Sequence, residues 1–289
     1  MEVINGSKYA VKVNQIPDKN GDLHLLAVVK ATYDFPENND QRLVLSEVQN
    51  DILTTDIDDG EEDISIPRIE SNMSGIKPKC DVVLKATGYP PVDHDDDKFE
   101  VAFKVANCEK KLWIQGEQTW YKNALGQMVL SAKQPLAPTP ISYARSYGGS
   151  WVANEEQDES FNDFFMQNPI GIGYAKPEHK PYLDGKLAPN IFPENDKMNA
   201  SKAFNPASFS SIGRHWYPRT EYAGTYDQDW KDNVFPRLPA DFDERFFQSV
   251  PEDQQIDYPT GRESIELFNM HPTRPHISFK LPNLSLIHI

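Results

Sequence analysis

Phe99-Glu100-Val101-Ala102-Phe103-Lys104-Val105 decides the fold class. Phe99, Val101, Phe103 and Val105 fall on one side and Glu100 and Lys104 on the other, the alternation of a strand with one buried face. The same pattern runs outward in both directions. Upstream, Tyr9, Val11 and Val13 alternate with Ala10, Lys12 and Asn14. Asp18-Lys19-Asn20-Gly21 then supplies, through Asn-Gly, the positive φ angles of a tight hairpin, and Leu23 to Phe35 follows as a long strand. Asp81 to Thr87 reads as the partner of Phe99 to Val105. Lys111 to Glu117 and Gln127 to Ala132 continue the pattern around the turn Ala124-Leu125-Gly126. Turn signals at these intervals predict a mainly β fold, with an antiparallel β-sandwich-like domain over residues 1–135.

Past Lys133 the pattern changes. Of 23 prolines, six precede Pro135 and fourteen lie from Pro135 to Pro259, so this half cannot be mostly sheet interior. Residues 136–289 read as a proline- and aromatic-rich, loop-dominated half packed on the first as one globule. Three short helices are expected there. One spans Glu155 to Gln167, with Phe161, Phe164 and Phe165 at helical spacing and Asn168-Pro169 as its stop. A second starts at Thr225, where Gln228 completes a capping box. A third holds Phe242, Phe246 and Phe247. Ile265 to Met270 and His276 to Leu281 return to strand.

A net charge of −15 repels phosphate backbones and anionic lipids, so nucleic acid and membrane surfaces are excluded as expected partners. An aromatic content of 11% argues against wholesale disorder. Cys80 and Cys108, with no C-x-x-C spacing, read as reduced core thiols. The start lacks a signal-like segment and no apolar run approaches a membrane span, so a cytoplasmic protein is expected.

Motifs for chemistry fail on spacing. Neither Asp56-Ile57-Asp58-Asp59-Gly60 nor Asp18-Lys19-Asn20-Gly21-Asp22 places its glycine correctly for a calcium loop. The acidic runs Asp56 to Asp63 and Asp93 to Asp97 read as solvated loops. His271 and His276 lie in an extended HPTRPH segment without a second ligand pair, so no metal is expected. Gly171-Ile172-Gly173 lacks the third glycine of a dinucleotide fingerprint, and no cofactor is expected. Gly148-Gly149-Ser150 is not a nucleophile elbow; its glycines serve a sharp turn or a close backbone contact.

The densest local chemistry is Ile212 to Trp230, IGRHWYPRTEYAGTYDQDW. Rings and cations at this density make a tight loop, with Arg214 and Arg219 expected to stack on Trp216 or Tyr217. His215 is the best candidate acid or base, with a carboxylate from Asp241, Asp243 or Glu244 beside it. The favoured reading is instead a histidine locked by a hydrogen bond. Arg214, Trp216, Arg219, Tyr226 and Trp230 are expected mainly to build the fold.

With KATYDF (30–35), KPKCDVVLKATGY (77–89), ISYARSYGG (141–149), NPIGIGY (168–174), the 212–230 block and DFDERFFQSVPEDQQ (241–255), the chain resembles a bacterial family, domain-of-unknown-function family 2169. The motif residues are Gly148, Gly149, Asn168, Pro169, Gly171, Gly173, Arg214, His215, Trp216, Pro218, Arg219, Gly224, Thr225, Tyr226, Asp227 and Trp230, structural or partner-facing. Ser146-Tyr147 departs mildly from the family pattern, and the apolar tail Leu284 to Ile289 stands outside it. The resemblance implies a cytoplasmic adaptor or chaperone, with no enzyme activity, that loads a type VI secretion effector onto the spike, often through a PAAR-like tip protein. Two other readings compete. One is a hydrolase-type enzyme built on His215. The other is a carbohydrate-binding β-sandwich with Trp113, Trp120 or Trp151 as stacking platforms, although Trp113 and Trp120 are better read as packing in or between sheets.

Overall fold

The computed structural model describes residues 4–58, 67–92, 96–151, 163–193 and 204–282. Asp18-Lys19-Asn20-Gly21 turns as its residues dictate. The Asp18 carboxylate accepts the N–H groups of Asn20 and Asp22, and Gly21 sits at φ 92°. The turn joins β1 (Ala10–Pro17) to β2 (Leu23–Lys30), an antiparallel ribbon in register from Ala10 opposite Lys30 to Pro17 opposite Leu23. The long strand expected from Leu23 to Phe35 breaks after Lys30. Tyr33–Asp34 pairs instead with Val44–Leu45.

The largest sheet has six strands. They are β3 (Gln41–Arg42), β4 (Lys98–Val105), β5 (Cys108–Gln115), β6 (Ile191–Pro193), β7 (Ser264–Phe268) and β8 (His276–Lys280), in the spatial order β6-β5-β4-β7-β8-β3. Every neighbouring pair is antiparallel except β8 with β3. Around it, the other sheets among the described residues are two-stranded. The mainly β, largely antiparallel architecture is thus found, organised around one large sheet. That sheet takes strands from both sides of position 135.

The apolar face of β4 is buried as its alternation predicts, and Ala102 on the other face is buried too. Phe99, Val101, Phe103 and Val105 are buried and pack with Leu112, Ile114, Ile141, Ile191 and Phe209 in the main core. Phe103 meets Phe209 edge to face at 5.1 Å. On the opposite face the Lys98 ammonium lies over Trp113 and that of Lys104 over Phe268. Burial of each such ring contributes roughly 1.5–3 kcal/mol, so this cluster dominates cohesion of the sheet.

The partner of β4 differs from the sequence expectation. β4 hairpins directly onto β5 through Ala106-Asn107, with Ala106 at φ 52°, and takes β7 on its other edge. The shortest loop closure wins, although Ala-Asn carries no hairpin signal. Asp81 to Thr87 instead crosses the core, donating from Val82 to Gln254 O and from Leu84 to Phe209 O. A buried polar link secures that crossing. Lys110, in β5, donates to Gln254 Oε1 at 2.7 Å and to Asp253 Oδ1 at 3.0 Å, and burial pulls its pKa down. Both cysteines are free thiols, and Cys108 Sγ meets the Asp253 carbonyl.

The helices are shorter than expected. Most of Glu155 to Gln167 lies outside the described residues, and Asp163–Phe164 is a strand paired with Ser150–Trp151. No capping box forms at Thr225, because its hydroxyl goes to Asp241; Asp227 accepts the Trp230 N–H and a π-helical turn follows over Trp230–Val234. Glu244–Phe247 is a 3-10 turn capped by Asp243, with Phe242, Phe246 and Phe247 clustered on it. Most of the acidic runs, residues 59–63 and 93–95, lies outside the described residues; of the rest, Asp56 accepts the Ser71 N–H and the exposed Asp97 pairs with Lys133.

Glu263 fixes the turn leading into β7. Its carboxylate accepts the N–H groups of Thr260 and Gly261 and the Thr260 hydroxyl, and these bonds hold its pKa down at about 2. The unfolded carboxyl takes up its proton first as pH falls. This stabilisation is therefore complete above the ordinary glutamate value and disappears toward pH 2. Glu263→Gln flattens that part of a plot of urea midpoint against pH.

Candidate functional site

Two interlocked units hold most of the motif residues. In the first, Tyr147–Gly148 pairs in parallel with Ile172–Gly173, and the turn through Asn168 closes over the glycines. The Asn168 side chain is fully buried and donates from Nδ2 to the carbonyls of Tyr143 and Tyr147, each at 2.9 Å. Gly148, at φ 150°, lies so near that a Cβ there would stand 2.2 Å from the Asn168 carbonyl oxygen. A Cβ on Gly149 would stand 2.4 Å from the Gly171 carbonyl. The close backbone contact expected of Gly148-Gly149 is what these residues make. Ser146 is equally buried: its hydroxyl donates to Ile191 O and accepts from Ala207 N, tying the unit to β6.

The second unit is Ile212 to Tyr222. Trp216 is buried edge to face against Tyr143 at 5.5 Å, and its indole fills the place where Gly213 lacks a side chain. Tyr143 thereby joins the two units, and a bond from Tyr217 N to Met166 O joins them again. Arg219, at 2% exposure, is the electrostatic centre. Its guanidinium donates to Ile212 O, twice to Phe246 O, and to the Glu70 carboxylate. Neither arginine stacks on Trp216 or Tyr217. Arg219 lies against Phe246, while Arg214 pairs with Asp56 at 3.1 Å and stands 3.9 Å from Glu70. Carboxylates capture the guanidinium groups because a buried charge needs a counter-charge more than a ring face.

The rest of the motif lies outward. Gly224, at φ 80°, turns the chain so that Thr225 can bind both carboxylate oxygens of Asp241. Tyr226 is 51% exposed and meets Trp230 edge to face at 4.7 Å; Trp230 in turn meets the exposed Phe235 and donates from Nε1 to Arg237 O. Asp241 also borders a cleft of about 670 Å³ between the β1–β2 turn, Gly75 to Pro78, and Leu238 to Phe247. Nothing in the local sequence pattern pointed to this cleft. Its one trace is Gly75, whose missing side chain leaves room for the Phe247 ring.

A family model described as "Uncharacterized protein conserved in bacteria (DUF2169)" matches residues 20–288, so the tail from Leu284, expected to stand outside the family, is matched up to His288, although it lies outside the described residues. The chain belongs to this family. No curated protein and no solved structure matches it.

In this DUF2169 chain His215 is exposed, and no hydrogen bond reaches its ring among the described residues, so it is not the locked histidine expected. Two of the three carboxylates named as its partners are engaged elsewhere, Asp241 by Thr225 and Asp243 by Arg245, while Glu244 is exposed on the cleft rim. The tryptophans considered as sugar platforms are likewise occupied. Trp120 is buried with Leu183 and Ala188, Trp151 stacks on His179 at 3.7 Å, and Lys98 covers Trp113. His271 Nδ1 accepts from its own loop and His276 pairs with Glu266. Among the described residues no cluster of side chains has the composition of a metal site, and no helix is long and apolar enough to cross a membrane.

Proposed function

We propose that this DUF2169 protein is a cytoplasmic, non-enzymatic adaptor or chaperone. It binds a type VI secretion effector, or a PAAR-like tip protein, and assists its loading onto the spike. The observation that carries this reading is how the motif is divided. Asn168, the glycines around it, Trp216 and Arg219 are consumed in holding a frame, while the motif's Tyr226 stands exposed against the half-buried Trp230, with the exposed Phe235 adjoining them from outside the motif. Clustered exposed rings give much contact area at small entropic cost, which suits recognition of another polypeptide. Leu23 and Leu25 on the β1–β2 ribbon add exposed apolar area away from the large sheet. The net charge of −15 favours a basic partner and speeds encounter with it.

Co-expression with a candidate type VI effector toxin tests the reading. The toxin is expected to become soluble and to co-elute with the chain; a toxin equally soluble alone, with no complex formed, contradicts it. The competing hydrolase reading is separated by His215→Ala. This exposed substitution is expected to change stability by less than about 0.5 kcal/mol and to leave complex formation intact. Turnover by the wild-type protein that is lost in His215→Ala would favour the enzyme.

A further inference from the structure

The cleft beside the aromatic loop has a composition of its own. Ile16, Ile76, Leu238, Ala240, Phe242 and Phe247 give it apolar walls, and Ile76 is 59% exposed. Its charged groups are four carboxylates, Asp18, Asp241, Asp243 and Glu244, against one lysine, Lys19, with His24 as the remaining titratable group. Arg245 is bound to Asp243 and His24 shares the Asp18 carboxylate, while Asp241 is held only by neutral donors on Thr225. Arg237 also reaches the β1–β2 turn, donating to Asn20 O, so four carboxylates face three cations (Lys19, Arg237 and Arg245) and the excess charge around the opening is negative. Asp241 also links the cleft to the aromatic loop, because the Thr225 that binds it precedes Tyr226.

We infer that this cleft is the docking groove for a basic, apolar-anchored segment of a partner polypeptide, whose aliphatic side chains enter the cleft while lysine or arginine groups meet its acidic rim. The inference deepens the adaptor reading and rests on it for the biological identity of the partner. A small ligand fits less well, since the charged groups line an open rim. An acidic or nucleic-acid partner would meet repulsion.

The probe is a short, labelled, alternating lysine–leucine peptide, with a glutamate–leucine peptide of equal length as control, titrated by fluorescence anisotropy against the full chain. The basic peptide is expected to bind, more weakly as salt rises, and the acidic one not to bind. Ile76→Arg with Glu244→Lys, both at exposed positions, is expected to weaken binding about tenfold or more, a loss of about 1.4 kcal/mol, without shifting the melting temperature. Ala240→Trp, which fills the cleft without altering charge, is expected to do the same. Equal binding of both peptides, no binding by wild type, or unchanged affinity in the variants overturns the inference. In the toxin co-expression assay, a complex that survives Ile76→Arg/Glu244→Lys removes the groove but leaves the adaptor reading standing. Peptide binding at the cleft with no toxin complex removes the adaptor reading and leaves the groove.

Discussion

Arg219→Ala is expected to destabilise the protein by about 3–5 kcal/mol, enough to unfold a domain of ordinary stability. The residue sits at 2% exposure, and its guanidinium is bonded to Ile212 O, Phe246 O and the Glu70 carboxylate. Truncation strands the Glu70 carboxylate, only 12% exposed, with Arg214 as a distant counter-ion at 3.9 Å. It also removes the donors to Ile212 O and Phe246 O, and an unpaired buried acceptor costs about 1–3 kcal/mol. Urea denaturation measures the loss. Two controls give it meaning. Arg214→Ala, at a side chain 36% exposed, is expected to cost no more than about 1 kcal/mol. Adding Glu70→Leu to Arg219→Ala is expected to recover part of the loss, because the stranded charge goes with it. If Arg219→Ala behaves like Arg214→Ala, the guanidinium is not the centre of the 212–222 unit.

Gly148→Ala is the second large effect. A methyl group would stand 2.2 Å from Asn168 O and 2.8 Å from Asn168 Cβ, while φ 150° is itself unfavourable for a side chain. Overpacking costs about 1–3 kcal/mol and a strained backbone about 1–3 kcal/mol more, so the sum approaches the loss at Arg219. The expected outcome is a protein that is insoluble or melts far below wild type. Gly126→Ala separates the two causes. Gly126 also has positive φ, 76°, but open space around it, so only the left-handed penalty of about 1–2 kcal/mol applies.

Local pattern decided what was legible in the sequence. The β1–β2 hairpin follows from Asn20-Gly21, and the buried face of β4 from four alternating apolar residues, because both are set by neighbours in the chain. Strand partners were not legible. The choice of β5 and β7 over Asp81 to Thr87 depends on residues as distant as Phe268, which faces Ala102 from 166 positions away, and Ala106 adopts a turn conformation that its type rarely favours. The helix expected from Thr225 begins only at Gln228 because a tertiary partner, Asp241, captured the capping hydroxyl. The same limit governs the motif. Arg219 could be recognised as structural from its aromatic setting, but the counter-charge that fixes it comes from Glu70, 149 residues upstream. The cleft had no signature at all. It is assembled from three segments, each unremarkable alone, and only a ring lying over Gly75 marks their meeting.

The central claim is that the family motif builds a frame and that binding occurs on the surface the frame presents. Hydrogen–deuterium exchange of the chain alone and in complex with the candidate effector toxin proposed as its partner tests this most directly. New protection is predicted over residues 16–24, 75–78 and 226–244, with Asn168 to Gly173 and Ile212 to Arg219 already slow to exchange and unchanged. New protection centred on His215 and its neighbours, with the cleft segments unaltered, would contradict it.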